Sequence, residues 1–328
     1  MTVLEQVRWG FIGCGSVTEV KSGPAFQKIA GSQVVAVMRR HGDKARDYAR
    51  RHGIPKWYDD ADQLIHDPDV NAVYVATPPY AHAEYTIKAC RAGKPVYVEK
   101  PMARTYRECQ RMNAACQEAG VSLFVAYYRR CLPAFLKVKE LVTSGAIGEV
   151  RFVSVMLHMP PAEEGLAPQD LPWRVIPKIA GGGHFFDLAS HQLDFLDYVF
   201  GPITSVKGLA ANQAGLYPAE DIVIASFAFD SGVLGSGVWC FTVSEEGATD
   251  RTDIVGRQGR ITYASFEDAP VRLETSRGVR AFRFPPPEHV QRPLIQTVVD
   301  ALRGRGQCPS TGVTAARTNS IMDQIVVQ

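Results

Sequence analysis

Val7-Arg8-Trp9-Gly10-Phe11-Ile12-Gly13-Cys14-Gly15-Ser16-Val17-Thr18 is the stretch that decides the fold. Val7 to Gly13 is a nearly unbroken apolar run, which reads as a strand buried on both faces. It empties directly into a glycine turn. Gly13 allows the tight turn, and Gly15 lets the backbone approach a diphosphate at the start of the helix opened by Ser16 and Val17. Thr18 stands where such a fingerprint usually has a small residue, and G-x-G alone is a weak signal. A strand leading straight into it strengthens the reading.

Working outward from this turn, strand and helix patterns alternate. A helix is expected through Pro24–Ala30, then a strand at Gln33–Met38 and a charged helix at Asp43–His52. A short strand over Ile54–Tyr58 and a small helix around Leu64 and Ile65 follow, then the apolar strand Ala72–Ala76, stopped by Thr77-Pro78-Pro79. The helix Ala81–Ala92 closes at Gly93, Val96–Val98 is a strand, Tyr106–Ala119 is a helix stopped by Gly120, and Leu123–Ala126 is a strand. Gly after a helix is a common C-terminal stop. Apolar strands alternating with helices argue an α/β, doubly wound parallel sheet, a Rossmann arrangement.

The pattern then changes. Phe135–Thr143 is helical, Val150–His158 alternates as a strand, and Pro160–Gly183 is a Pro- and Gly-rich loop before an apolar helix at about His184–Phe200. Ile222–Phe229 and Val233–Phe241 flank Asp230-Ser231-Gly232, a hairpin signal. Ile261–Ser265, Val271–Thr275 and Val279–Phe284 continue in hairpin order, and Leu294–Leu302 returns as a helix after Pro285-Pro286-Pro287. The second half therefore reads as an α+β domain with an open, largely antiparallel sheet. A chain of 328 residues exceeds one typical core. The expected division is a dinucleotide-binding domain over residues 1–126 and a substrate and oligomerisation domain over 127–328.

Glu99-Lys100-Pro101 closes the strand Val96–Val98. In an open parallel sheet, ligands bind beyond the carboxyl ends of the strands. A lysine there stands where a nicotinamide ring and a carbonyl would meet, as proton donor in reduction and acceptor in reverse, and as a cation facing developing alkoxide charge. Arg39-Arg40-His41 follows the second strand, where an acid would select the ribose hydroxyls of NAD. Two guanidinium groups suit a 2′-phosphate instead, so NADP(H) is the expected cofactor, with NAD(H) possible.

A second constellation lies in Gly181-Gly182-Gly183-His184-Phe185-Phe186-Asp187-Leu188-Ala189-Ser190-His191-Gln192-Leu193-Asp194. On an α-helix, His184, Asp187, His191 and Asp194 share one stripe. Asp187 and His191 are the catalytic candidates beside Lys100, the carboxylate orienting the imidazole, and the three glycines leave room for a ligand. The same His/Asp spacing also suits a metal, but proton chemistry fits it better and no metal is expected. Weaker candidates are Trp173-Arg174, Pro78-Pro79-Tyr80 with His82, and Tyr127-Tyr128-Arg129-Arg130, of which Tyr128 and Arg129 are read as substrate contacts. His289 and Gln291, just after the triple proline, are read as residues that reach the cleft.

The composition is 46% hydrophobic and 21% charged, with 36 basic and 34 acidic residues giving a net charge of +2. No basic block points to nucleic acid. No run approaches a membrane span and no apolar leader opens the chain, so a cytoplasmic protein is expected. The 7 cysteines are scattered with no C-x-x-C pair, so neither a disulfide framework nor a zinc site is expected.

Taken together, Gly13-Cys14-Gly15, Thr77-Pro78-Pro79 with His82, Glu99-Lys100-Pro101, and Gly181-Gly182-Gly183 with Asp187 and His191 resemble the glucose–fructose oxidoreductase / inositol dehydrogenase / MocA-like (Gfo/Idh/MocA) family. The resemblance implies a Rossmann domain followed by an open-faced sheet domain, and face-to-face packing of these sheets in homodimers or homotetramers. It implies that Lys100 and His191 act on a hydroxyl or carbonyl of a sugar or polyol, with Asp187 at a supporting site. Cofactor contacts are implied at Gly13, Gly15, Ser16, Val17, Arg39, Arg40, Thr77, Pro78, Pro79, His82, Glu99 and Lys100. Trp173-Arg174 looks like the cofactor-contacting pair of the NADP-dependent 1,5-anhydro-D-fructose reductase branch. Tyr127-Tyr128 departs from the Asn-containing sequences of many members, which leaves the substrate open. Two other functions seen in this family stay open on the sequence: a non-catalytic dinucleotide- or sugar-sensing regulator, and a glycosidase using tightly bound nicotinamide.

Overall fold

The computed structural model describes residues 3–161 and 170–326. Part of the expected Pro160–Gly183 loop, residues 162–169, lies outside them. The chain forms two compact units, Met1–Tyr128 with Pro287–Ala316, and Arg129–Pro286 with Arg317–Gln328.

In the first unit, β1 (Val7–Ile12), β2 (Ser32–Met38), β3 (Lys56–Tyr58), β4 (Ala72–Val75), β5 (Val96–Val98) and β6 (Leu123–Val125) form a wholly parallel sheet. Its order is β3-β2-β1-β4-β5-β6, the doubly wound order expected from the alternation. The helix opened by the glycine turn is the short α1 (Ser16–Val20), and the helix expected over Pro24–Ala30 is the short α2 (Gly23–Gln27). Then come α3 (Gly42–His52), α4 (Ala61–His66), α5 (His82–Arg91) and α6 (Tyr106–Glu118). One sheet face buries an aromatic cluster in which Trp9, Phe11, Tyr74 and Tyr97 pack around Phe26 of α2. The other buries aliphatic residues, Ile12, Val73, Val75, Val96 and Val98, against the helices that carry Leu64, Ala89 and Met112. Period-2 alternation of the strands sorts these two sets.

The expected boundary at 126/127 is close to the first crossing, but residues 287–316 belong to the first unit, not the second. The reason is burial and hydrogen bonding. In the helix Arg292–Leu302, Leu294, Ile295, Val298 and Val299 are fully buried. Farther on, Ser310 Oγ donates to Val125 O at 2.7 Å.

The second unit contains α7 (Pro133–Thr143), β7 (Val150–His158), α8 (Pro177–Ala180), α9 (Ser190–Phe200) and β8 (Ile203–Ala211). After these come β9 (Ile222–Phe229), β10 (Leu234–Cys240), β11 (Thr249–Gly256), β12 (Gly259–Tyr263), β13 (Val271–Thr275) and β14 (Gly278–Phe282). Its sheet runs β14-β13-β12-β11-β7-β10-β9-β8 and is antiparallel throughout except for the β7/β10 pair. α10 (Arg292–Leu302) closes the first unit, and α11 (Gly312–Val326) passes from one unit into the next at residue 316.

Two strands, β8 and β11, carry no clear apolar alternation and escape the sequence reading. Their polar side chains alternate with residues that face the core. On β11, Arg251 pairs with Asp253 at 2.7 Å, and Asp253 accepts from Thr262 of β12 at 2.6 Å. Neighbouring Arg260 pairs with Glu274 at 2.6 Å. Cross-strand polar pairs satisfy one face of the sheet there, in place of hydrophobic burial. The opposite face is core, with Phe185, Phe195, Trp239, Ile254 and Ile261 fully buried.

The cysteine expectation needs correction. Cys90 of α5 and Cys116 of α6 form a disulfide, both buried. The two helices pack side by side, which brings together residues 26 positions apart that no local spacing links. Closing a loop of that length stabilises a fold by about 3 kcal/mol in the chain-entropy picture.

Candidate active site

The glycine turn is built as its sequence requires. Gly13 has φ +91°, and a Cβ there would meet the Ala76 carbonyl at 2.9 Å, so both backbone shape and the end of β4 demand glycine. A Cβ on Gly15 would meet nothing within 4 Å, leaving the outer side of the turn open to an approaching diphosphate. Thr18 is buried and its Oγ1 donates to Gly15 O at 2.8 Å, locking the turn from below. The close approach that the fingerprint assigns to its third small residue occurs at Gly23, where a Cβ would lie 2.0 Å from Thr18 O.

Arg39, at the end of β2, donates from Nη1 to Cys14 O at 3.2 Å, so its guanidinium lies at the rim of the turn. Arg40 is exposed beside it. Burial pushes the Cys14 thiol up to about 11, against the nearby Arg39, so the thiol stays protonated at neutral pH. Thr77 Oγ1 is buried and has no hydrogen-bond partner among the described residues. These features fit a nicotinamide dinucleotide: a cradle a side chain would fill, a guanidinium at its lip and an unused hydroxyl at the end of β4.

Lys100 follows β5 on the same edge of the sheet, and the Lys100-Pro101 peptide bond is cis. Two sets of hydrogen bonds fix the backbone around it. His82, fully buried, sets Nε2 2.7 Å from Thr77 O and Nδ1 3.0 Å from Pro101 O, tying the ends of β4 and β5 together. Burial pushes its imidazole below the usual value against the pull of those carbonyls. On the other side, the buried Glu99 carboxylate accepts Tyr74 Oη–H at 2.5 Å and Gln291 Nε2–H at 2.7 Å on Oε1. Its Oε2 faces the Lys100 amide at 3.3 Å. Pro78 is half-buried and Pro79 buried, and they shape the turn between Thr77 and His82.

In the second unit the helix is irregular over the expected site residues. Phe185–Ala189 is a π-helical turn that leads into α9. A π turn carries one residue more per turn than an α-helix, so the expected single stripe is broken. His184 packs against Tyr217 and Phe241, and burial lowers its pKa. Asp187 pairs with Arg174 Nε at 3.2 Å, and that guanidinium stacks over Trp173 at 4.5 Å. His191 is buried beside Phe266. Asp194 takes a different course. It is almost fully buried and bidentate with Arg130 at 2.7 Å, so it is part of the packing network and not of a cleft-facing stripe.

Gly182 and Gly183 do not leave the room for a ligand that was expected there. A Cβ on Gly182 would strike the Phe186 ring at 2.2 Å, and one on Gly183 would lie 2.7 Å from Glu220 O. They are small because Phe186 and the 219–220 segment occupy that space. Glu220 also accepts Gly183 N–H at 2.8 Å, and burial raises its carboxyl pKa.

Arg129 donates from Nε and Nη2 to Ser265 O at 3.0 and 2.8 Å and lies over Phe266. Tyr128 is half-buried next to it. Gln291 and His289, expected to reach the cleft, are buried, the first against Glu99 and the second against Val20 O at 2.8 Å. Tyr74 was missed. The signal was the repeated Val-Tyr-Val of β4 and β5, whose tyrosines lie in register on one face. Among the described residues, no three His, Cys, Asp or Glu side chains cluster to hold a metal, and no helix is long and apolar enough to cross a membrane.

Comparison with known proteins adds the following. Residues 7–127 match the model of an oxidoreductase family with an NAD-binding Rossmann fold, and residues 135–262 match a GFO/IDH/MocA C-terminal domain. An oxidoreductase of Formosa agariphila is 38% identical over 97% of this chain and 98% of its own. A 1,5-anhydro-D-fructose reductase of Ensifer adhaerens is 30% identical over 93% and 91%. The crystal structure of aldose-aldose oxidoreductase from Caulobacter crescentus, complexed with glycerol, superposes with a TM-score of 0.85 at 25% identity, over 97% and 96%.

Proposed function

The chain belongs to the GFO/IDH/MocA oxidoreductase family, and from that premise we propose that it moves hydride between NADP(H) and the carbonyl or secondary alcohol of a sugar-like substrate. The observation that carries this reading is the double fixing of Lys100. Glu99 Oε2 faces its amide and His82 holds the carbonyl of the Pro101 that follows it, fixing the chain on both sides of Lys100 at the carboxyl edge of the sheet, next to the glycine turn's own strand pair. When bound, the nicotinamide supplies or accepts the hydride. Gly13, Gly15, Ser16 and Val17 present the turn to the diphosphate, and Thr77, Pro78 and Pro79 line the end of β4.

In reduction, Lys100 gives a proton from Nζ to the substrate oxygen while the carbonyl carbon gains hydride. In oxidation it takes that proton back. We assign His191 the second proton-handling role and Asp187, with Arg174, the support of the substrate hydroxyls. The name of the Ensifer adhaerens relative supports an anhydroketose as the first substrate to try. The test is nicotinamide absorbance during turnover, with NADPH and a panel of ketoses, anhydroketoses, inosose and aromatic carbonyls, and with NADP and the matching alcohols. Signal with one class establishes the reaction. Tight NADPH binding with no turnover on any member sinks it in favour of a sensor or a glycosidase.

Arg39 carries the NADP preference. Arg39→Asp is expected to shift the NADPH/NADH affinity ratio at least about tenfold toward NADH, the scale of one charge-assisted hydrogen bond. Fluorescence titration with each dinucleotide reads it, and an unchanged ratio removes the phosphate-binding role.

The sheet of the second unit supports an oligomer. Phe152, Leu209, Ile224 and Leu234 are exposed, and the register puts Leu234 beside Phe152 and Ile224 beside Leu209 on one face. They form two apolar pairs on that face with Ser226 and Ser236 in register between them, and exposed apolar side chains on a sheet face suit an interaction surface. We propose that two copies pair through it. Ile224→Lys with Leu234→Glu should then halve the mass seen by light scattering, whereas an unchanged mass would place the contact elsewhere.

A further inference from the structure

Glu99 is a carboxylate with only 7% of its surface exposed. A buried carboxylate needs donors, and each lone pair left without one is costly. Here the donors are specific. Tyr74 Oη and Gln291 Nε2 both converge on Oε1, and the amide of Lys100 faces Oε2. Gln291 is itself oriented, because Tyr97 Oη donates to its Oε1 at 3.1 Å. That bond settles which end of the amide meets Glu99, leaving the NH₂ as the donor. Burial, reinforced by Glu99, holds the Tyr74 phenol well above its ordinary pKa, so it remains a donor at every working pH.

Gln291 stands immediately before α10, nearly two hundred positions from Glu99, a separation of 192 residues. The segment that carries it is tied down along its length. His289 Nδ1 lies 2.8 Å from Val20 O and its Nε2 2.9 Å from Lys28 Nζ, while Gln291 N donates to Lys21 O. Residues 20–22 follow the helix opened by the glycine turn, and Ser22 Oγ lies 3.0 Å from Tyr74 Oη. One strap therefore touches the region behind the cofactor turn and the carboxylate behind Lys100. Phenylalanine at 74 and 97 and an aliphatic residue at 291 would fill the same core. The polar atoms are explained by the carboxylate, which Tyr74 and Gln291 reach directly and Tyr97 reaches through Gln291.

We propose that Gln291 is a positioning residue for Lys100, acting through Glu99, with Tyr97 setting its amide. The proposal rests on the reading of Lys100 as the proton donor. It predicts that the strap contributes to turnover without touching substrate.

The test uses Gln291→Met, which keeps length and removes the donor, Gln291→Glu, which places a second carboxylate against Glu99, and Tyr97→Phe as a milder variant. Three quantities are read on the full chain: NADPH affinity, kcat and KM on the substrate the wild type accepts, and the acetylation rate of Lys100 by trace acetic anhydride. The last is scored by peptide mass spectrometry against exposed Lys207. Gln291→Met is expected to lower kcat about tenfold, the scale of a lost hydrogen bond to a charged group, with KM and NADPH affinity unchanged. The Lys100/Lys207 labelling ratio should change with it, and Tyr97→Phe should move both the same way by less. In Gln291→Glu the two carboxylates must share a proton, so activity should approach wild type in acid and fall as pH rises. A merely structural role would lower stability without a pH-dependent split of kcat from KM. Wild-type kcat and an unchanged labelling ratio in both Gln291→Met and Tyr97→Phe overturn the proposal. If the wild type turns over no substrate, the proposed reaction fails instead, and the labelling ratio still decides the positioning role.

Discussion

Lys100→Met is expected to cut kcat by about 10²- to 10⁴-fold, the range for loss of a positioned general acid, while NADPH binds with near wild-type affinity. Methionine keeps the reach of the side chain and removes the proton and the charge. The backbone that presents it should be unaffected, since the bonds at Glu99 Oε2 and His82 and the cis Lys100-Pro101 bond run through backbone atoms. Stopped turnover with retained NADPH fluorescence transfer is therefore the expected pair of observations. Turnover like wild type would remove Lys100 from the chemistry and leave proton handling to His191, which His191→Asn tests in the same assay.

The second large effect concerns stability. Arg130 is 2% exposed and bridges Asp194 at 2.7 Å and Asp197 at 3.8 Å, while Arg317 reaches Asp197 from the other side. Burial raises the Asp194 carboxyl to about 6 even with Arg130 beside it. Arg130→Met would leave Asp194 and Asp197 in the core, with Arg317 still paired to Asp197. Removing one partner of a buried pair costs about 3–5 kcal/mol. Urea denaturation at pH 7 should show a loss of that size. The sign of its pH dependence follows from the carboxylates. Without Arg130 the folded-state pKa of Asp194 rises further above its unfolded value, so the variant is penalised only where that carboxyl ionises in the unfolded chain. Its deficit should shrink as pH falls toward 5. A deficit below about 1 kcal/mol at pH 7 would mean that the network is solvated and contributes as little as a surface pair.

Much of this was legible along the chain because the relevant signals are local. A strand running into Gly13, proline after Thr77, and Glu99-Lys100-Pro101 at a strand end each depend on backbone rules that act over a few residues. The Asp230-Ser231-Gly232 hairpin has the same character, and β9 and β10 pair antiparallel across it. Local rules failed where neighbours decide the conformation. His184 to Asp194 looks like one helical stripe, yet the π turn over Phe185–Ala189 sends Asp187 to Arg174 and Asp194 to Arg130. The glycines before it looked like space for a ligand, yet Phe186 and Glu220 fill that space.

The sequence by itself determined the doubly wound first unit, the sheet that follows it, the glycine turn and the lysine at the edge of the sheet. Period-2 burial, glycine and proline are written into a few consecutive residues, and no distant contact can reverse them cheaply. Only the tertiary structure decided that residues 287–316 return to the first unit, that Cys90 meets Cys116, and that Gln291 stands behind Lys100. Those are pairings between distant positions. Their partners are chosen by which buried donor, acceptor or thiol the packed sheet and helices leave within reach, and no spacing along the chain records that choice.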